Sequence, residues 1–299
     1  MKIYDCFQFF DEEMLLDLRL NIMDKYIDKF VITEATYLHN GKEKKLIFDI
    51  NKFSKFRDKI IYIVVDKQPS DLHKIYEEDK DSKDTRGQKL VLNGYKRDHY
   101  QRHMAQKILN AIDPEDWILI NDIDEIPNLN NVNLKSAKNK LVFFKQQMFY
   151  YKFNLLYPAF SWFGSKACKK KHFLSPNWLR DVRQKKYPLW RLDILFSKKK
   201  YNDVFIVNDG GWHFTNIKSP EDIEKKLLNY THHYEFEQSG LKLKDLKKII
   251  KENKILYDHG QDQTGYKWGS KRTLSKVTLS KMPDYIRENY KKYGNWLEL

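Results

Sequence analysis

The sequence predicts an α/β protein built on an open, mixed and mostly parallel sheet flanked by helices, with a helical C-terminal part. Three observations predict it. Short runs rich in β-branched and aromatic residues alternate with helical periodicity through residues 1–127. One run, Lys59 to Val65 (KIIYIVV), is nearly all apolar, which suits a parallel strand covered on both faces. Helix signals dominate after Ser219. A chain of 299 residues can form one large α/β domain around a sizeable core.

Each element follows in order. KIYDCFQF at 2–9 and KFVITEA at 29–35 read as short strands, and between them Met14, Leu15, Leu18, Ile22 and Tyr26 recur at helical spacing. After the strand at 59–65, residues 66–96 are polar, charged and aperiodic, which predicts a mobile loop or lid. A helix is expected from about Asp98 to Ala111, with Tyr100, Met104 and Ile108 inward and Asp113-Pro114 closing it. It leads into WILINDIDEIP at 117–127, which opens as a buried strand. The runs at 140–157, 191–198 (RLDILFSK) and 203–207 (DVFIV) are expected to continue the same sheet. Ser219-Pro220-Glu221-Asp222 combines a cap, a first-turn proline and first-turn acids, so a helix starts there.

Composition narrows the classes. Hydrophobic residues at 41% and aromatics at 15% exclude a disordered chain, while 32% charged residues predict a wet surface. Cys6 and Cys168 cannot build a disulfide framework and lack zinc-site spacing, so a reducing compartment is expected. No apolar run is long enough to span a bilayer, and Asp5 interrupts any leader-like segment; a cytoplasmic protein is the expectation. The net charge of +14 suits polyanions, an anionic membrane surface or anionic small molecules, although a lysine-rich compositional bias explains it equally well.

WILINDIDEIP places three carboxylates within four residues. If the strand stays extended, Asp122 and Asp124 point to one side, roughly 6–7 Å apart, and Glu125 to the other. Two carboxylates at the end of a parallel strand suit Mg²⁺ or Mn²⁺, which share their shell with substrate phosphates. An acidic turn after a strand is the plainer reading of so short a motif. In Asn208-Asp-Gly-Gly-Trp-His-Phe214 the glycines permit a tight turn, and His213 is a candidate third metal ligand or a satisfied strand histidine. Arg97 and Arg102, placed at a helix start, could contact phosphate or form surface ion pairs. His232 and His233, at a helix end, could bind metal or substrate or cap carbonyls.

Taken in order, IYDCFQFFDEEMLLDLRL (3–20), DKFVITEATYLHNGKEKKLIF (28–48), RDHYQRHMAQKIL (97–109), WILINDIDEIP, GGWHF (210–214) and HHYE (232–235) resemble glycosyltransferase family 17. The resemblance implies a GT-A fold in a single domain over 1–299. Residues 1–127 would then form the nucleotide-sugar-binding half, 128–218 the acceptor-side strands and 219–299 the helical part. It also implies an inverting transfer from a nucleotide-sugar, a UDP-sugar with GlcNAc as the candidate sugar, to a glycan acceptor, lipid-linked forms included. Asp122 and Asp124 match the family's Asp-x-Asp position. Asp122, Glu34, Arg97 and Arg102 become candidate donor contacts, with Glu34 reading equally as an acceptor contact or a buried hydrogen-bonded carboxylate, and Asp122, Asp124 and His213 become candidate ligands of Mn²⁺ or Mg²⁺. Asp98 stands where the family more usually has Glu, and His103 where it has Asn. The general base that inversion needs stays unassigned among Asp193, Asp209 and Glu125.

Two other classes fit parts of the pattern. A metal-dependent phosphohydrolase or nucleotidyltransferase would use the same aspartates, though it usually needs more ligands than the sequence offers. A basic polyanion-binding protein would rest on the net charge alone. Nucleic acid is not expected as a partner, whereas peripheral contact with an anionic membrane is compatible with the charge.

Overall fold

The computed structural model describes residues 1–77, 80–185, 187–188, 190–231, 233–260 and 267–298. The chain runs β1 (Ile3–Phe9), α1 (Glu13–Met23), β2 (Lys29–Ala35), β3 (Ile60–Val65), α2 (Lys83–His103), α3 (Gln106–Leu109), β4 (Trp117–Ile120) and β5 (Glu125–Pro127). It continues with β6 (Leu141–Phe144), β7 (Gln146–Tyr150), β8 (Leu155–Trp162), β9 (Lys166–Lys169), α4 (Pro176–Asp181), β10 (Val204–Val207) and β11 (Gly211–Thr215). The C-terminal part holds α5 (Pro220–Asn229), α6 (His233–Ser239), α7 (Leu243–Lys251), β12 (Ser275–Lys276) and α8 (Asp284–Glu288). The α/β class is as the sequence predicts.

The strands form two mixed sheets, where the sequence suggested one. The larger has the order β10-β6-β9-β4-β1-β2-β3, parallel except for β9, which runs antiparallel to both neighbours. The smaller has the order β12-β8-β7-β11-β5, with only β7 and β11 parallel. The division follows from the turn after β4, because Glu125, Ile126 and Pro127 pair with His213, Trp212 and Gly211 on β11 and leave the first sheet.

Alternation along the central strands explains why both faces of the larger sheet are covered. Phe7, Trp117 and Leu119 join a core with Leu16 and Leu20 of α1, while Cys6, Ile118 and Ile120 face Leu109, Trp178 and Leu179 on the other side. A third cluster packs Met148, Tyr150 and Tyr157 of the smaller sheet against Ile223, Phe236 and Leu246 of the C-terminal helices.

Four expectations are corrected. Lys59 to Val65 contains an edge strand, and Val64 is exposed, so its apolar run does not mark two covered faces. The segment 66–96 is not one loop, because α2 begins at Lys83 with Ser82 accepting from Thr85 N; weak apolar periodicity hid a helix rich in charge. The helix expected over 98–111 is the end of α2 followed by the short α3. RLDILFSK is a loop with one 3-10 turn at Leu192–Ile194 and joins neither sheet. The Ser219 start holds as expected, its Oγ accepting from Asp222 N at 3.1 Å. No helix among the described residues is long and apolar enough to cross a membrane.

Candidate active site

A cleft of about 460 Å³ lies beyond the C-terminal ends of β1 and β4, where open α/β sheets place their ligands. Its floor is the turn between β4 and β5. The chain leaves the sheet at Asn121, whose side chain donates to Asp5 Oδ1 at 2.5 Å. Arg19, fully buried on α1, then ties strand and turn together. Its Nε and Nη2 donate to Asp5 at 2.8 and 2.6 Å, while Nη1 donates to the carbonyls of Glu125 (2.6 Å) and Asp122 (3.3 Å). Nothing in the sequence announces this, since an arginine amid helical apolar residues ordinarily reads as a surface position.

Around the turn runs a chain of alternating charges. Arg102 binds Asp98 through Nη1 at 3.0 Å and Asp122 Oδ1 through Nη2 at 3.2 Å. Arg180, on α4, binds Asp122 Oδ2 at 2.7 Å and forks onto Glu125 at 2.6 and 2.8 Å. Glu125 also accepts from Asp122 N at 2.8 Å and from the Trp162 indole. Its carboxylate fills the space above Gly164, where an added Cβ would stand 1.9 Å from Oε1.

Burial works to raise the pKa of Asp98 and of Glu125, but their arginine partners prevail and hold both at about 2. Asp122 goes the other way. Burial and the negative charge of Glu125 push it up despite two arginine contacts, each of which is shared with another carboxylate.

Asp124 faces His213 of β11, with Oδ1 3.6 Å from Nε2. Burial opposes ionisation of Asp124, yet His213 holds its pKa well below the usual range. His213 Nε2 also lies 2.9 Å from Thr215 Oγ1, while its buried Nδ1 has no hydrogen-bond partner. The Trp162 ring packs over His213 at 5.4 Å between centroids. Four carboxylates, Asp98, Asp122, Asp124 and Glu125, face two guanidiniums, Arg102 and Arg180, on this wall of the cleft.

Such a wall suits a bound cation. Among the described residues no group of three or more His, Cys, Asp or Glu side chains could hold a metal alone. The Asp124–His213 pair offers one carboxylate and one imidazole side by side, with Oδ1 and Nε2 3.6 Å apart.

The sequence model of glycosyltransferase family 17 matches residues 1–298. The chain belongs to glycosyltransferase family 17. No curated protein matches it. A glycosyltransferase needs a donor sugar and a glycan acceptor, and the cleft of this one is lined by both acidic side chains and an aromatic one, Trp162.

The glycosyltransferase brings Arg102, Asp122, Asp124, Glu125 and His213 together in the cleft, but not the other candidates. Glu34 is fully buried beneath it, accepting from Ile47 N (2.9 Å), Phe48 N (3.1 Å) and Tyr62 Oη (2.7 Å) and pairing with Lys44. Arg97 donates to His39 O at 3.0 Å outside the lining. Asp193 is paired with Arg191 and Lys200 on an exposed loop, and Asp209 accepts from Asn131 at 2.9 Å beside a separate cavity.

Three local readings change. Arg97 and Arg102 sit in the last turns of α2 rather than at a helix start, so no N-terminal dipole acts on them. Glu125 does not face away from Asp122, because the chain turns at 121–124 and Arg180 bridges the two carboxylates. His233 opens α6 instead of ending a helix, and its Nδ1 lies 2.8 Å from Tyr230 O; His232 lies outside the described residues.

Arg180 was missed although a signal existed. Ser175-Pro176 is the same cap-and-proline start as Ser219-Pro220, with Ser175 Oγ accepting from Trp178 N at 3.0 Å. Lys166 was missed too. Its ammonium donates to the carbonyls of Arg180 and Val182, pinning the end of α4.

Proposed function

We propose that the protein is a GT-A, metal-dependent inverting glycosyltransferase that moves a sugar, GlcNAc being the candidate, from a UDP-sugar to a glycan acceptor. The excess of carboxylates around Asp122 and Asp124 at the strand ends carries the reading. Asp124 and His213 would hold Mn²⁺ or Mg²⁺, and the ion would supply Lewis-acid stabilisation of the departing diphosphate. Asp122 is committed to Arg102 and Arg180, which supports a role in holding those two positive charges in place beside the donor. Lys226 also lines the cleft and adds positive charge near Asp124.

Glu125 has both oxygens engaged, which argues against it as the general base. Asp181 lines the cleft with a partly exposed carboxylate, of which Oδ2 pairs with Lys199 at 3.2 Å, and we assign the base to it. A lipid-linked acceptor on an anionic membrane, reached from the cytoplasm, suits the net charge of +14.

Thermal shift with UDP tests the reading. Wild-type protein is expected to be stabilised by UDP with Mn²⁺ well beyond UDP alone, and Asp124→Asn to lose that increment. A wild-type protein indifferent to the metal would sink the proposal.

A further inference from the structure

The segment from 183 to 200 carries seven basic residues and one acidic one, and four of its described apolar side chains are exposed. Trp190 is 75% exposed, Leu192 70%, Leu195 78% and Phe196 90%. Monomeric proteins rarely display such a cluster without a use for it.

The loop is tied at its base. Trp178 Nε1 donates to Lys198 O at 2.6 Å and Arg183 N to Lys199 O at 2.8 Å. Buried Tyr187 packs inside it, with Lys185, Arg191 and Lys200 placed over the ring. Arg183, Lys185, Lys198 and Lys199 are exposed at the two ends of the loop and flank its apolar residues in sequence. An apolar tip in a basic collar is complementary to a bilayer whose headgroups are anionic and whose interior is hydrocarbon.

We propose that this loop is a membrane-docking element that sinks Trp190, Leu192, Leu195 and Phe196 into the interface of an anionic bilayer. It deepens, and rests on, the reading of an acceptor carried by an anionic membrane. Because α4 supplies Arg180 to the cleft and the chain enters the loop directly after Asp181, docking would bring the cleft close to the lipid surface.

The test is co-sedimentation with vesicles of phosphatidylcholine mixed with phosphatidylglycerol, and of phosphatidylcholine alone. Two double variants are compared, Trp190→Ser with Phe196→Ser and Lys185→Glu with Lys198→Glu. None of these side chains lines the cleft, so donor hydrolysis in solution should stay at the wild-type rate and report that each variant is folded. Wild-type protein is expected to pellet with the anionic vesicles only, and each double variant to lose about tenfold or more in affinity. Variants that bind like wild type overturn the loop assignment and leave the membrane reading standing. A wild-type protein that ignores anionic vesicles overturns both. A self-associating wild type that becomes monomeric in the Trp190 and Phe196 variant, without vesicle binding, makes the tip a contact between copies and also overturns the proposal.

Discussion

Arg180 shows what a single side chain does in this site. One guanidinium holds Asp122, forks onto Glu125 and donates to Gly164 O at 2.8 Å, so both of its terminal nitrogens are engaged twice. A lysine keeps the charge but not the fork. Arg180→Lys is therefore expected to lower stability by about 2 kcal/mol, through the carboxylates left poorly compensated. It should also lower kcat/KM for donor turnover by about tenfold or more, by analogy with losing a charge-assisted contact to the transferring group. Denaturant unfolding and steady-state kinetics check the two effects separately; an unchanged kcat/KM would remove Arg180 from the donor site.

The β4–β5 turn and the β8–β9 connection act as one element because the Glu125 carboxylate occupies the place of a side chain at position 164. Gly164→Ala should displace that carboxylate from Arg180 and cost about 1–3 kcal/mol, the usual range for forcing atoms into a packed site. Thermal unfolding measures it, and a neutral substitution would mean the carboxylate can move freely. At this scale the sequence was readable where a local rule applies: β1, α1 and β2 follow from periodicity, and the Ser219 start from capping chemistry. It was unreadable where partners are distant. Nothing near Asp122 announces Arg180, which lies 58 residues on, and nothing near Arg19 announces a turn more than 100 residues later. The aspartates could be found as a motif, while their electrostatic state depends on contacts that only the fold creates.

For the molecule as a whole, pH links one buried lysine to global stability. Burial, assisted by the charge of Arg180, lowers the Lys166 pKa from 10.5 to about 7. Between those values the unfolded chain holds a proton that the folded chain lacks, so this contribution to stability rises with pH across the window and is lost as pH falls through about 7. Denaturant unfolding of wild type and Lys166→Met over about pH 7 to 10 should show the wild-type slope flattened in the variant. Parallel slopes in the two proteins would contradict it.

The topology also sets a schedule. β1, β2, β3 and β4 are complete once Ile120 is made, but the strand that seals the other side of β4 is β9, beginning at Lys166. At roughly 5–20 residues per second, synthesis of residues 121–165 leaves that side open for several seconds. During this interval Trp117, Ile118, Leu119 and Ile120, all fully buried in the finished protein, form an unpaired apolar edge. The hazard of edge-to-edge association therefore belongs to the half-made chain on the ribosome, and the reversed strand β9 is what ends it.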